Sequence, residues 1–176
     1  MAIVASMKHD EFPGQVCSVA RSLEIVGEWW TLLIVREAFF GTERFSDFEI
    51  NLGISKNILT QRLSKLVEAE ILERTQLTGR GNPVCYRLTD SGRDLLTIIV
   101  ALMQWGDRWI NRRCAPVRII ERETGNEVAE LVVTGNDGKT LSLRDLDIVP
   151  GPGADDAIRK RFERKPSWPS SARKAE

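Results

Sequence analysis

The chain has 176 residues, with Lys+Arg and Asp+Glu balanced at 25 each, 42% hydrophobic residues and one histidine. That length suits one ordinary domain plus an appendage, and the composition is that of a soluble globular protein. The lone histidine, His9, argues against Ser-His-Asp or Cys-His chemistry and against a multi-histidine metal site, so no enzyme activity, cofactor or metal is expected.

Met1 to Met7 has no basic start, and Lys8-His9-Asp10-Glu11 follows at once, so no signal peptide is expected. No apolar run reaches the roughly 20 residues a bilayer span needs. Cys17, Cys85 and Cys114 are far apart, an odd set without a C-x-x-C pair. That spacing fits neither a disulfide framework nor a zinc knuckle, and points to the reducing cytoplasm.

In chain order, Val16 to Ile25 reads as a short amphipathic helix on Val16, Val19, Ala20 and Leu23, ended by Gly27. Trp29 to Phe40 reads as a second helix closed by Gly41 in the left-handed conformation. A third short helix is expected over Phe45 to Asn51, broken by Gly53. Ser55 is then the N-cap of a fourth helix reaching about Glu70, with Ile58, Leu59, Leu63, Leu66 and Val67 facing inward. Two helices joined by a tight glycine-containing turn are the helix-turn-helix pattern.

After Ala69 the period becomes two. Ile71, Glu73, Thr75 and Leu77 form one strand and Val84 to Leu88 the next, around the turn-rich loop Thr78 to Pro83. A hairpin directly after the candidate recognition helix is a wing. Thr89 to Gly92 then starts a long helix from Arg93 to about Arg113. Leu96, Ile99, Val100, Met103 and Trp105 to Trp109 make it apolar around much of its circumference, which fits packing on its own domain or a dimer interface. Short strands are expected over Arg118 to Glu123, Val128 to Thr134 and Thr140 to Leu143, separated by Gly125 and Asn136-Asp137-Gly138 turns. Pro150 to Gly153 breaks the pattern. A basic helical turn or two follows to Lys165, and Ser167 to Glu176 is expected to be disordered. The fold class is thus mainly α with a β-wing (α+β), with an arm (1–14), a winged helix-turn-helix domain (15–113), a β-rich extension (116–153) and a basic tail (154–176).

The exposed side of the fourth helix carries Ser55, Lys56, Asn57, Thr60, Gln61 and Ser64. Asn and Gln can pair bidentately with adenine, Lys can reach guanine O6 or N7, and Thr offers a methyl to thymine. Arg62 and Lys65 suit phosphates. A plain solvated face has the same composition, and position is what favours DNA: the patch follows the turn and precedes the wing. From Ser55 to Arg87 there are six bases and three acids, whereas Lys8 to Ile54 has four bases and eight acids. Basic residues therefore collect on the reading elements. Arg80, between two glycines at the wing tip, can enter a narrow minor groove.

These residues resemble the HxlR family of bacterial regulators. The likeness spans about Cys17 to Trp109 in five ordered segments. They are Cys17 to Leu23, Gly27-Glu28-Trp29-Trp30-Thr31 on to Glu37, Arg44 to Phe48, Gly53 to Leu63, and Tyr86 to Gly92. The resemblance implies a homodimer joined through the first and last helices of the module, with Val19, Leu23, Ile99, Met103, Trp105 and Trp109 at the seam. It also implies an operator of two half-sites and no catalysis; a repressor is the expected role, although the residues do not by themselves distinguish repression from activation. One departure is Trp29, where the family usually has a basic residue. The extension resembles a segment that in some relatives carries paired cysteine turns; here those turns hold no cysteine, so a metal-free ribbon is expected.

Two effectors fit. Cys17 stands where some members of the family sense oxidants, although no basic neighbour activates it and a buried interface thiol is the plainer reading. Alternatively Trp29, Trp30, Trp105, Trp109, Phe39 and Phe40 line a pocket for a small apolar molecule. The competing function is a winged-helix protein-interaction module that does not bind DNA, which would need an apolar or acidic face on the fourth helix.

Overall fold

The computed structural model describes residues 17–76 and 84–163. The N-terminal arm, the wing tip with Arg80, and the segment 164–176 lie outside the described residues. The chain divides into two compact units, Met1–Ile119 and Ile120–Glu176. Among the described residues no helix is long and apolar enough to cross a membrane.

The first unit opens with α1 (Ser18–Val26), whose N-cap is Cys17: its Sγ accepts the Ala20 N–H at 3.5 Å. Helix α2 (Trp29–Phe39) buries Ile34 and Val35 completely. It stops because Gly41, at φ 92°, turns the chain left-handed and lets the Thr42 N–H reach back to the Glu37 carbonyl at 3.0 Å. Helix α3 (Phe45–Leu52) ends the same way on Gly53, at φ 62°, and buries Phe48. Ile54 is buried in the turn, and Ser55 caps α4 (Lys56–Glu68), accepting the Ile58 N–H at 3.5 Å. Leu59, Leu63 and Leu66 form the inward stripe of α4. Ile58, expected inward, is instead 37% exposed, because it lies one residue, about 100° of helix, before Leu59.

Strands β1 (Leu72–Gln76) and β2 (Val84–Leu88) pair antiparallel in the register Leu72 to Leu88 and Gln76 to Val84. The segment before α3 adds a third element: Arg44 bridges Cys85, and the Tyr86 N–H donates to the Glu43 carbonyl at 2.8 Å. The core that these elements share is Ile34, Val35, Phe48, Ile54, Leu59, Leu63, Leu66, Ile71, Leu72 and Ile99.

The helix expected from Arg93 onward is in fact two pieces, α5 (Asp90–Asp94) and α6 (Leu96–Trp109), hinged at Leu95. Thr89 caps α5, its hydroxyl accepting the Gly92 N–H at 3.0 Å, while the Thr89 N–H donates to the Ile71 carbonyl at 3.1 Å. This ties the first turn to the junction of α4 and β1. Beyond α6 the backbone of Arg112 and Arg113 is left-handed, which ends the helix.

In the second unit the expected turns form, but the expected strands do not. Among the described residues only single bridges occur, Ile120 with Glu127 and Thr134 with Thr140, and a 3-10 turn covers Leu143–Asp145. The reason is physical: no described residue from 120 to 163 is buried, and isolated two-stranded ribbons are marginal without an apolar layer to pack on. Helix α7 (Asp156–Glu163) is the two-turn helix expected there, with Asp155 accepting the Ile158 N–H at 2.8 Å.

Candidate nucleic-acid interface

The amphipathic division of α4 decides the site. With Leu59, Leu63 and Leu66 anchored in the core, Ser55, Lys56, Asn57, Thr60, Gln61, Ser64 and Lys65 are left exposed on the helix. The Thr60 hydroxyl donates to the Lys56 carbonyl at 2.7 Å, which holds the side chain against its own helix. Exposed Ile58 adds an apolar group among these polar ones, and no simple inward-stripe reading separates it from Leu59.

A carboxylate cluster fixes the turn that aims this helix. Glu37 is 7% exposed, near the end of α2. Its Oε1 accepts Arg36 Nη2 at 2.9 Å, and its Oε2 accepts Thr42 Oγ1 at 3.3 Å and Asn51 Nδ2 at 3.2 Å. Asn51 Nδ2 also donates to Thr42 Oγ1 at 3.1 Å. One buried carboxylate thereby joins α2, the following turn and the end of α3, and a buried charge of this kind persists only when paired and hydrogen-bonded. Spacing offered no clue to this cluster, because its Glu37–Asn51 bond joins residues 14 apart.

Three of the basic residues assigned to DNA contact or to local positive charge are engaged within the protein. Arg62 Nη2 lies 2.8 Å from Glu28 Oε2, and the Arg62 side chain is only 16% exposed. Lys65 Nζ is 3.9 Å from the other Glu28 oxygen, a looser pairing on a half-exposed side chain. Arg87 donates through Nε and Nη2 to the two oxygens of Glu43 at 2.9 and 3.1 Å. The hydrogen bond from Arg87, with the Coulombic pull of Arg87 and Arg44, holds the Glu43 carboxyl below its ordinary range. It is therefore ionised at neutral pH and offsets Arg87. Glu28 and Glu43 both lie outside the Ser55–Arg87 stretch, so folding returns to the surface a smaller positive excess than that stretch carries by itself. Lys56 and Arg74 remain exposed on α4 and β1.

The expected dimer residues divide. Ile99 is 5% exposed and belongs to the core, with Met103 packed against it. Val19, Leu23, Trp105 and Trp109 stand on the surface, joined on α6 by Leu96, Ile98 and Leu102. Helix α6 is thus apolar on two sides, one for its own domain and one left over. The six aromatics assigned to a pocket divide similarly: Trp30 and Phe39 pack on the core, while Trp29, Phe40, Trp105 and Trp109 are exposed. Trp29, at 91%, is the most open of them, and the Arg36 guanidinium lies 5.8 Å from the Phe40 ring centroid. Cys17 is exposed and free, and among the described residues no cluster of potential ligands could hold a metal ion.

A polar helix presented over a buried apolar stripe, entered through a glycine turn and followed by a two-stranded wing, defines a winged helix-turn-helix DNA-binding protein. The chain belongs to the HxlR-like helix-turn-helix family, whose model matches residues 25–114. An HTH-type transcriptional regulator of Mycobacterium tuberculosis is 40% identical over 151 residues, covering 85% of this chain and 94% of that one. The crystal structure of PA1607, described as a candidate transcription factor, matches with a TM-score of 0.71 and 39% identity over 78% of this chain and 97% of the other. PA1374 of Pseudomonas aeruginosa matches with a TM-score of 0.58 and 39% identity over 82% and 99%. The protein is a DNA-binding transcriptional regulator. A 151-residue match cannot fit inside the first unit, so the mycobacterial relative shares part of the second.

Proposed function

We propose that the protein is a cytoplasmic, non-catalytic repressor that binds, as a homodimer, an operator of two half-sites. The observation that carries this reading is the exposed polar side of α4 over its buried leucines. Lys56, Asn57, Thr60 and Gln61 are the base-reading set, with Ile58 available to a thymine methyl. Lys65 and the wing residue Arg80 are the backbone contacts, and Arg62 holds α4 to Glu28 from behind. Repression is the sign we assign because occupancy of a promoter needs no surface beyond those that hold DNA. The leftover apolar side chains on α1 and α6, Val19, Leu23, Trp105 and Trp109, supply the seam between protomers, as aromatic anchors do in stable interfaces. A protein-docking role is less well supported, since the exposed side of α4 is predominantly polar.

Selection of bound sequences from random duplexes is expected to return an inverted repeat with half-sites about one or two helical turns apart. Gln61→Ala is expected to lower discrimination at one base pair per half-site by about 1–3 kcal/mol while leaving the melting temperature unchanged. Equal affinity of the wild type for all duplexes would overturn the reading.

The signal acts at the same face. Cys17 caps α1 and is exposed, so a thiol-modifying oxidant would disturb the start of the helix that carries Val19 and Leu23. Peroxide is expected to release wild-type protein from the operator and to leave Cys17→Ser bound. Equal release of both forms would remove the sensing role from Cys17, since Cys114 is also a free, exposed thiol; no release of either form would leave the exposed tryptophans and a small apolar effector as the alternative.

A further inference from the structure

The residue that opens α2 is a glutamate where a capping side chain is expected. Helix N-caps favour Ser, Thr, Asp and Asn, whose short side chains reach the first free N–H groups. Glu28 occupies the N-cap of α2 and makes no such bond. Its carboxylate is turned to α4 instead. One oxygen lies 2.8 Å from Arg62 Nη2 and the other 3.9 Å from Lys65 Nζ. One anion therefore faces two cations that stand three residues apart, on the same flank of α4.

The pairing is incomplete from the side of Arg62. Its Nε is buried and has no hydrogen-bond partner among the described residues. Arginine meets a carboxylate or a phosphate best through two parallel N–H groups, and Glu28 accepts from Nη2 alone. A buried N–H left unmet is costly, so Glu28 is a second-best acceptor for this guanidinium. A DNA phosphate reached by an extended Arg62 could accept from both Nε and Nη2. Lys65 is half-exposed and loosely held, free to turn outward. A tie serving only to join α2 to α4 would be made as well by apolar side chains, because a buried ion pair seldom stabilises more than a well-packed apolar contact. What the carboxylate does that an apolar group could not is satisfy cations on a helix that meets a polyanion.

We infer that Glu28 is a built-in substitute for a DNA phosphate: it withholds Arg62 from the duplex, competes for Lys65, and so limits affinity for every sequence alike. The inference rests on the reading above, in which α4 is the helix that meets DNA. Phosphates are the same at every step, so the restraint acts on affinity and salt dependence and leaves base discrimination to the exposed side of α4. Its effect is to weaken the charge-driven hold on unrelated DNA, which is where phosphate contacts supply nearly all of the binding.

The test uses the full-length protein, the selected operator and a scrambled duplex, titrated across KCl concentrations. E28Q keeps the shape of the side chain and removes its charge. It is expected to bind both duplexes about fivefold more tightly per protomer at about 0.1 M KCl, and to steepen the slope of log K against log salt by about 0.9 per protomer, the value for one further phosphate. The ratio of operator to scrambled affinity is expected to stay within about twofold of wild type. In an R62M background the same change is expected to leave the slope nearly where R62M alone puts it, because the cation that Glu28 retains is gone. An equal steepening in that background would make the effect one of overall charge and overturn the inference. So would an E28Q protein with wild-type affinity and slope, or one that melts lower and loses affinity for both duplexes, the mark of a purely structural tie. If wild type bound operator and scrambled DNA equally, base reading by α4 would fail, while tighter binding and a steeper slope in E28Q would still support the restraint.

Discussion

Gly92→Ala is expected to destabilise the first unit by about 3 kcal/mol, toward the upper end of what overpacking a well-filled site costs. A Cβ at this position would stand 2.1 Å from the Ile71 carbonyl oxygen and 3.0 Å from Leu88 Cδ2. The side chain could swing away, but the backbone oxygen cannot, since it accepts the Thr89 N–H and a bond from the Thr89 hydroxyl. Relief requires α5 to leave the junction of α4 and β1, where the hairpin meets the helix-turn-helix. For a domain of about 100 residues the destabilisation corresponds to a fall in melting temperature on the order of 10–20 °C. Thermal unfolding at fixed protein concentration measures it, the fixed concentration being needed because a dimer's apparent stability depends on it. A fall of less than 3 °C would show that the approach is softer than the geometry states.

Phe48→Ala should cost as much or more, about 3–5 kcal/mol, the usual range for emptying a large aromatic site in a core. Phe48 is fully buried in α3 and belongs to the same cluster as Ile34 of α2 and Leu59, Leu63 and Leu66 of α4. The cavity would open under the helix-turn-helix itself. Urea unfolding is expected to show a lower midpoint with an unchanged slope, the mark of reduced stability without a changed denatured state. Lys56→Ala on the exposed side of α4 is the contrast: operator affinity falls and the urea midpoint stays. If Phe48→Ala left the midpoint in place while Lys56→Ala moved it, the inside and outside of α4 would have to be exchanged.

Local chemistry accounts for much of what was legible in the chain. Gly41 and Gly53 stop helices because each must turn left-handed, and glycine does so without steric cost. Ser55 caps α4 through the hydroxyl that makes serine a good N-cap. Period-two patterning placed β2 on its observed residues, Val84–Leu88. The exposed polar set on α4 followed from helical spacing once Leu59 and Leu63 were taken as inward; Ile58, at the margin of the stripe, is exposed and not inward, and Arg62, expected to face outward, is turned to Glu28.

What spacing could not show is what long-range packing decides. The long helix divides at Leu95 because Thr89 and Gly92 are drawn against Ile71, about 20 residues earlier. Ile99, assigned to a seam between protomers, fills the core because an apolar residue does not reveal which of two apolar faces it serves. The ribbon strands were expected from alternation and turns, yet alternation yields a strand only where a layer lies beneath it, and residues 120–163 bury nothing.

The amino-acid sequence by itself determined the ends of α2 and α3, the start of α4, the helix-turn-helix order and the polar identity of the exposed face of α4, because caps, glycine conformations and hydrophobic period act within a few residues. Tertiary structure alone decided which cations are free to meet DNA. Arg62 and Arg87 are matched by Glu28 and Glu43 across 34 and 44 residues. Charge pairing depends on distance in space, and no count along the chain contains that distance.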